Sequence, residues 1–464
     1  MRAFIASSIG VACAAAAVLP LTAPDGLANS ASAAPAPAPA TVAAPRLPGS
    51  TQSLPLVPLT PPPTTAPPGS SDSVSLGLPA REVEPFALLG VVWDDPEEEL
   101  HGRIQVRTKS AATGKWSPWQ ELEAHADRPD PDSAESRGDK VRGATAPLWV
   151  GDSNGVQARV LPEEPEADAS GAHRLPEGLR LDLVHPGDDP AAEAGKNPAG
   201  EANSALAPPE ALEIPALDRQ GTREDLLAVR APEQDGQDGQ DGQDSQDGQD
   251  GQDGQSGQLR AVADAPIGPR PGIVTRKGWG ADERLRGPFL YTRTVKVAFV
   301  HHTAMSNNYS CGQSAAIIRG IYRYHVQSNG WRDVGYNFFV DKCGKIYEGR
   351  AGGVANPVMG AHTYGFNHDS TGIAVLGSYD STNPSGAAVD AVSKLVAWKL
   401  GLHGVDPRGT ASMKSGGGKY RKGATVRLRT VSGHRDGYVT DCPGDRLYAK
   451  LGTIRATAAR LQGR

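Results

Sequence analysis

The sequence predicts two folded regions of different class: an α/β domain over residues 269–464, with a mixed central β-sheet flanked by helices, and a small all-β domain before it. In the C-terminal region, apolar runs of strand length alternate with stretches of helical periodicity. The predicted strands are 295–300, 336–340, 345–348, 371–376 and 425–430, and the predicted helices are 311–327, 387–402 and a last one starting at Pro443. This alternation, together with a hairpin turning at 341–344, indicates a mixed sheet.

The all-β prediction covers residues 82–187, where short apolar or alternating runs are separated by turn residues. Four of the seven tryptophans fall there, at Trp93, Trp116, Trp119 and Trp149. These rings either fill a small β core or form a face that stacks on carbohydrate, and the core role is the simpler interpretation.

Three further segments are not expected to fold. Residues 1–33 contain Arg2, an Ala-rich apolar run and small residues suited to signal peptidase. They predict a cleaved export signal, the alternative being an uncleaved membrane anchor. Residues 34–81 are rich in Pro and Ala and predict a disordered spacer. Residues 188–268 contain an Asp-Gly-Gln repeat and predict an acidic disordered linker. The mature protein is therefore expected to be secreted, with no membrane partner after signal removal.

Charge is distributed unevenly along the chain. Residues 269–464 carry 28 Lys and Arg against 12 Asp and Glu, whereas the whole chain has a formal net charge of -6. A basic domain attracts polyanions in a salt-sensitive manner. Because no nucleic-acid-binding motif accompanies this charge, nucleic acid is not expected as a partner.

Three candidate metal ligands lie where predicted strands end or turns begin: His301, His434 and Cys442. Thiols of exported proteins tend to form disulfides. Because Cys13 lies inside the predicted signal, three cysteines remain, at 311, 343 and 442. One of the three must therefore have another role. A catalytic zinc site uses three protein ligands and leaves one position for water. The alternative is a cysteine peptidase, with a Cys442 thiolate as nucleophile and His434 as its base.

Six short motifs occur in order through this region. They are FVHHTA at 299–304, WRDVGYNF at 331–338, YEGR at 347–350, GAHT at 360–363, GHRD at 433–436 and DCPG at 441–444. Together they resemble the motifs of the peptidoglycan recognition proteins and of the phage-lysozyme-type N-acetylmuramoyl-L-alanine amidases. The all-β domain and the linkers lie outside this resemblance.

The resemblance implies a ligand set and a catalytic residue. His301, His434 and Cys442 would bind Zn²⁺, His302 would not, and Tyr336 would direct its hydroxyl into the site. A zinc-bound water has a pKa lowered to about 7, so it can attack an amide whose carbonyl the same ion polarises. Tyr336 would share the negative charge that develops on the carbonyl oxygen. The group that passes a proton to the leaving amine stays open.

Two positions bear on whether the domain cleaves. The phage enzymes have a Lys two residues before the Cys ligand, whereas this sequence has Thr440, the residue that cleaving recognition proteins usually carry there. Thr440 would orient the intermediate or the water, or it is simply a turn residue. Recognition proteins that bind without cleaving commonly lack the Cys ligand, and Cys442 is present.

With Cys442 assigned to zinc, the resemblance leaves Cys311 and Cys343 as a disulfide. It would join the start of the long helix to the tip of the hairpin. Closing a loop of about 30 residues in this way contributes roughly 3 kcal/mol.

The predicted function is that of a secreted, wall-associated zinc amidase that hydrolyses the amide between N-acetylmuramic acid and L-Ala. The alternative is a non-catalytic peptidoglycan-binding protein. His362 and Asn367 are expected to line the substrate groove, and Arg350 either meets carboxylates of the peptide stem or forms a structural ion pair. The expected partners are peptidoglycan and muropeptides, with anionic wall polymers as further partners of the basic domain.

Overall fold

A computed structural model of the chain describes residues 49–59, 75–123, 127–137, 140–162, 175–187, 197–230 and 266–464. The predicted export signal, most of the predicted spacer and the Asp-Gly-Gln repeat lie outside these residues. Within the described part, every helix is too short or too polar to serve as a membrane span.

An eight-stranded β-sheet forms the N-terminal domain, which confirms the all-β prediction. Its strands are β1 (Ser50–Pro55), β2 (Val57–Pro58), β3 (Leu76–Trp93), β4 (Gly102–Ser110), β5 (Gln120–Leu122), β6 (Gly143–Ala144), β7 (Leu148–Pro162) and β8 (Arg180–His185). Strands β1 and β2 belong to the stretch predicted as spacer, but they pair with β8 and β3. They do so because Leu54 and Leu56 pack on the domain core.

The four tryptophans of this domain divide between core and surface. Trp93 and Trp149 are buried, whereas Trp116 is exposed. The Arg107 guanidinium lies 5.2 Å from the ring centroid of Trp116 and 5.1 Å from that of Trp119. The core interpretation therefore holds for Trp93, whereas Trp149 is buried in a cluster shared with the C-terminal domain. Trp116 and Trp119 form a pair around an arginine.

A seven-stranded mixed sheet forms the centre of the C-terminal domain, as the sequence predicted. Its strands are β9 (Glu213–Ile214), β10 (Ile273–Val274), β11 (Val297–His302), β12 (Phe338–Val340), β13 (Ile346–Glu348), β14 (Ser370–Val375) and β17 (Val431–Gly433), and β15 (Thr410–Lys414) and β16 (Thr425–Arg429) form a separate hairpin. The order across the sheet is β17-β11-β14-β12-β13-β10-β9. The first four of these strands run parallel, and β12 and β13 form the predicted antiparallel hairpin.

Helices cover this sheet. They are α1 (Pro198–Glu201), α2 (Arg219–Arg230), α3 (Ser314–Arg323), α4 (Gly386–Leu402), α5 (His434–Gly437), α6 (Asp445–Tyr448) and α7 (Leu451–Gln462). Every residue of β11 is buried, as expected for a central parallel strand covered on both faces. Val300 of this strand packs with Leu395 of α4 and Ile454 of α7, whereas Phe299 packs in a different apolar cluster. The two-residue alternation of the strand therefore places His301 on the face of Phe299 and His302 on the face of Val300.

Part of the segment predicted as a disordered linker is folded. Helices α1 and α2 and strand β9 lie within it, and Ile214 and Leu226 are buried in the core of the C-terminal domain. The Nδ2 atom of Asn203 also donates a hydrogen bond to Glu348 Oε1 at 2.9 Å. The structure differs from the prediction here because a few well-spaced apolar residues suffice to dock a segment onto an existing core, whereas the average composition of the whole segment is polar.

The two domains share an apolar contact. Leu88 and Trp149 of the N-terminal sheet belong to the same buried cluster as Ile317 and Ile321 of α3. Tyr324, in the π-helical turn that follows α3, donates its hydroxyl to the carbonyl of Thr145 at 3.2 Å. This contact packs strand β3 and the start of β7 against α3 and the turn that follows it.

Candidate metal centre

The three predicted metal ligands converge in the structure. One ligand atom from each of His301, His434 and Cys442 lies within 4.8 Å of the others, and all three residues are buried. His301 lies at the end of β11, and His434 begins α5 directly after β17, the parallel neighbour of β11. Parallel strands bring their carboxyl ends to the same edge of a sheet, so the two imidazoles meet there with ring centroids 4.6 Å apart.

Neighbouring polar groups orient the His301 ring. Its Nδ1 atom lies 3.8 Å from Cys442 Sγ, and its Nε2 atom lies 3.5 Å from the hydroxyl of Thr363. The same hydroxyl lies 3.0 Å from His362 Nδ1. A hydrogen bond to one ring nitrogen fixes the imidazole so that the other nitrogen faces a metal. Thr363 therefore directs Nδ1 of His301 toward the cluster.

The adjacent His302 lies on the other side of its strand and is not part of the cluster. Its Nδ1 atom accepts a hydrogen bond from the backbone N–H of Tyr379 at 3.4 Å. Its backbone N–H donates to Cys442 Sγ at 3.3 Å. His302 thus supports the sulfur through its backbone while its ring points elsewhere.

Thr440 lies in the turn that presents Cys442. Its hydroxyl accepts a hydrogen bond from the backbone N–H of Cys442 at 3.2 Å. This contact fixes the turn that presents the Cys442 sulfur.

The donor set fits a zinc ion. Zinc bonds of about 2.0–2.3 Å in tetrahedral geometry separate donor atoms by roughly 3.3–3.7 Å, close to the 3.8 Å between His301 Nδ1 and Cys442 Sγ. Burial, followed by the negative charge of Asp127, raises the pKa of the Cys442 thiol well above its usual value. A bound divalent cation acts in the opposite sense and favours the thiolate.

Asp127 of the N-terminal domain is a fourth polar group at this centre, and sequence reasoning missed it. Its Oδ1 atom lies 3.4 Å from His434 Nε2 and 4.0 Å from His301 Nδ1. Its Oδ2 atom accepts a hydrogen bond from the Tyr336 hydroxyl at 2.6 Å. Burial raises the pKa of the Asp127 carboxyl well above its usual value, and the hydrogen bond from Tyr336 opposes that shift. Tyr336 therefore reaches the centre as predicted, but its hydroxyl is engaged by another domain.

Arg350 is buried and is paired with an acid of the N-terminal domain. Its Nη1 and Nη2 atoms donate to Glu135 Oε2 and Oε1, each at 2.8 Å. The guanidinium also donates to the backbone carbonyls of Val334 and Met359. The sequence left open whether Arg350 meets a carboxylate of the peptide stem or forms a structural ion pair. In the structure it forms an ion pair with Glu135 of the same chain.

Asn367 and His362, which were expected to line a substrate groove, are both buried. The side-chain oxygen of Asn367 accepts from the backbone N–H of His362 at 2.7 Å, and its Nδ2 atom donates to Asp130 Oδ1 at 2.9 Å. Burial, followed by the charge of Arg350, lowers the pKa of His362 to about 3, so this ring is neutral. The guanidinium of Arg350, the amide of Asn367 and the neutral imidazole of His362 are thus all buried in the described structure.

Two domain families and several relatives match the chain. Residues 291–445 match the N-acetylmuramoyl-L-alanine amidase family, and residues 39–180 match the family described as Rv3811 N-terminal galactose-binding domain-like. Peptidoglycan-recognition protein SC2 of Drosophila melanogaster is 31% identical over 183 residues, which cover 39% of this chain and 85% of that protein. The N-acetylmuramoyl-L-alanine amidase of Homo sapiens is 32% identical over 190 residues, which cover 39% of this chain and 28% of that protein. Among solved structures, Drosophila PGRP-LB is 28% identical over 39% of this chain and 92% of that chain, with a TM-score of 0.32.

Residues 291–445 form a domain of the N-acetylmuramoyl-L-alanine amidase family. The chain belongs to the peptidoglycan recognition protein family, through its C-terminal domain. Asp127, Asp130 and Glu135 lie outside the matched amidase domain, in a segment with no motif of its own, which is why sequence reasoning passed over them.

Proposed function

We propose that the C-terminal domain is a zinc-dependent N-acetylmuramoyl-L-alanine amidase that cleaves the amide between N-acetylmuramic acid and L-Ala. The observation that carries this proposal is the buried convergence of His301, His434 and Cys442 beside the Tyr336 hydroxyl. The predicted export signal supports action outside the cell, at the wall. A non-catalytic binding protein would have no need of an intact ligand trio.

The roles of the residues follow from their positions. Zn²⁺ held by the trio would supply a Lewis acid and lower the pKa of a bound water. Tyr336 would donate its hydroxyl hydrogen to the oxygen of the amide under attack, because that hydroxyl already lies at the centre. Thr363 keeps the His301 ring aligned, and Thr440 keeps the backbone at Cys442 in place.

The groove residues suit a peptide stem. Arg350 would bind a carboxylate through its two terminal nitrogens, a geometry that favours bidentate recognition. The Asn367 amide would hydrogen bond to the peptide backbone or to the sugar. The relatives are named for recognition of peptidoglycan, which supports peptidoglycan and muropeptides as partners. The excess of Lys and Arg in residues 269–464 would add attraction to anionic wall polymers.

The proposal is tested by measuring zinc content and the peptides released from purified wall in parallel. Cys442→Ser should lose both zinc and hydrolysis, because a serine hydroxyl is a poor substitute for a thiolate ligand. Tyr336→Phe should keep zinc and lose turnover by about 100-fold, the usual cost of one oxyanion donor. Tyr291→Phe is the matched control, since that ring is exposed and its hydroxyl bonds only to the backbone of Gly352 in the described structure.

Two results would contradict the proposal. One is purified protein that takes up no zinc, and the other is Cys442→Ser protein that still releases stem peptides at the wild-type rate. Mass spectrometry of the released fragments also identifies which bond is cut. Intact stems with a free L-Ala amine are expected.

A further inference from the structure

We infer that residues 127–135 of the N-terminal domain form an occluding segment that keeps the amidase centre closed. Asp127 takes the position that solvent needs at the metal, and Glu135 takes the position of a substrate carboxylate on Arg350. This inference rests on the proposed function, because the site that the segment closes is the site that would cleave peptidoglycan.

At its metal end, the occluding segment places the Asp127 carboxylate against two members of the ligand trio. The distances from Asp127 Oδ1 to His434 Nε2 and His301 Nδ1 are 3.4 Å and 4.0 Å. Asp127 is not among the donors that all lie within 4.8 Å of one another, so its carboxylate lies beside the trio and not within it. A catalytic zinc site keeps one position open to solvent. With the Asp127 carboxylate beside both imidazoles, that position is covered.

The catalytic hydroxyl is engaged at the same time. Tyr336 donates its hydrogen to Asp127 Oδ2 at 2.6 Å, so it cannot also donate to an amide oxygen. A single carboxylate therefore blocks both groups on which hydrolysis would depend. The alternative role for Asp127, a base that assists the reaction, predicts the opposite effect of its removal.

The groove end of the segment resembles a bound ligand. The Glu135 carboxylate accepts hydrogen bonds from both terminal nitrogens of Arg350. It also accepts one from the backbone N–H of Arg332 at 2.9 Å. Asp130 Oδ1 accepts from Gly365 N at 2.7 Å and from Asn367 Nδ2 at 2.9 Å. Donors that a peptide stem would use are thus satisfied by the chain itself. Stem and segment cannot occupy the groove together.

The contact is specific rather than incidental. A buried carboxylate is costly unless it is paired and hydrogen bonded, and Glu135 and Arg350 are both almost fully buried in their bidentate pair. Arg128 of the same segment lies over the Tyr364 ring, with its Cζ atom 3.9 Å from the centroid. The segment therefore contacts the C-terminal domain at several points, through Asp127, Arg128, Asp130 and Glu135. Substrate must displace it, and the apparent affinity falls with the fraction of open molecules.

The first test reads the metal without catalysis. The full chain is loaded with Co²⁺ and titrated with azide while the visible absorption is followed. Wild-type protein should show no azide-dependent change, whereas Asp127→Asn should show saturable azide binding, because only the variant has an exchangeable position. Asp132→Asn is the matched control: it lies in the same segment but is exposed and pairs with Lys422. Azide binding to the wild-type protein equal to that of Asp127→Asn would overturn the inference.

The second test measures release of the stem from a soluble muropeptide. Glu135→Gln leaves Asp127 unchanged but weakens the pair with Arg350, and Asp127→Ala frees the metal and Tyr336. Both should raise the rate at low substrate by at least about tenfold, as expected if fewer than one molecule in ten is open. Equal or lower rates in both variants would overturn the inference, and a loss confined to Asp127→Ala would identify Asp127 as a catalytic base instead.

The two tests separate this inference from the proposed function. If azide distinguishes Asp127→Asn from wild type while no variant releases stem peptide, the occluding segment stands and the amidase proposal fails. If wild-type protein binds azide and cleaves as fast as Glu135→Gln, the amidase proposal stands and the occlusion fails.

Discussion

Two of the ion pairs that join the occluding segment to the C-terminal domain differ in character. Glu135 and Arg350 have side chains that are 2% and 4% exposed, whereas Asp132 and Lys422 are 69% and 61% exposed. The four residues belong to one interface, and the two acids are three positions apart in sequence. The comparison shows that access of water, more than the presence of opposite charges, decides which pair can hold the segment closed.

The largest effect is expected for the buried pair. In a double-mutant cycle of Glu135→Ala and Arg350→Ala, the coupling in the free energy of unfolding should be about 2–4 kcal/mol, because either single change leaves a buried charge without its partner. Urea unfolding followed by tryptophan fluorescence measures it. A coupling below about 1 kcal/mol would equal that of an ordinary surface pair. It would mean that Glu135 and Arg350 do not hold the occluding segment closed.

A smaller, pH-dependent effect is expected where His368 meets the segment. His368 Nδ1 lies 3.5 Å from Asp130 Oδ2, and this hydrogen bond raises the pKa of the histidine above its usual value. A raised folded-state pKa contributes stability that is present below the unfolded pKa of about 6.5 and is lost as the pH rises through the folded value.

His368→Gln should therefore cost more stability at pH 6 than at pH 8.5, by less than about 1 kcal/mol because the ring is partly exposed. The unfolding free energies of variant and wild type are compared at both pH values. In an Asp130→Asn background the pH-dependent difference should vanish. If it persists there, the histidine titrates for a reason unrelated to the segment.

Local sequence was enough to predict much of the C-terminal domain. The strand Val297–His302 and the helix Gly386–Leu402 follow from periodicity within a few neighbouring residues. The motifs around His434 and Cys442 predicted that these two side chains can converge, because the two residues are eight positions apart across a turn rich in Gly and Asp. The choice between His301 and His302 needed the family resemblance, since alternation alone states only that they face opposite sides.

What the sequence did not predict depends on contacts between distant segments. Asp127 lies 209 positions before Tyr336, its hydrogen-bond partner, and no periodicity or motif links the two. The same holds for Ile214 and Leu226, which dock a polar segment on a distant core. Composition describes a segment on its own, whereas burial depends on what else the fold brings beside it.

The smallest effect is expected for the exposed pair of Asp132 and Lys422. It tests whether a solvated ion pair helps to hold the segment closed. Lys422 Nζ lies 2.6 Å from Asp132 Oδ2, yet both side chains remain in water. The entropy cost of ordering the long lysine side chain and the screening by salt offset most of the attraction. The coupling between Asp132→Ala and Lys422→Ala in the free energy of unfolding should therefore be about 0–1 kcal/mol, and it should fade at 1 M salt. Azide binding and muropeptide release by these variants should match the wild type. A coupling as large as that of Glu135 and Arg350 would mean that the segment is held through its solvated charges, in which case high salt alone should open the wild-type centre.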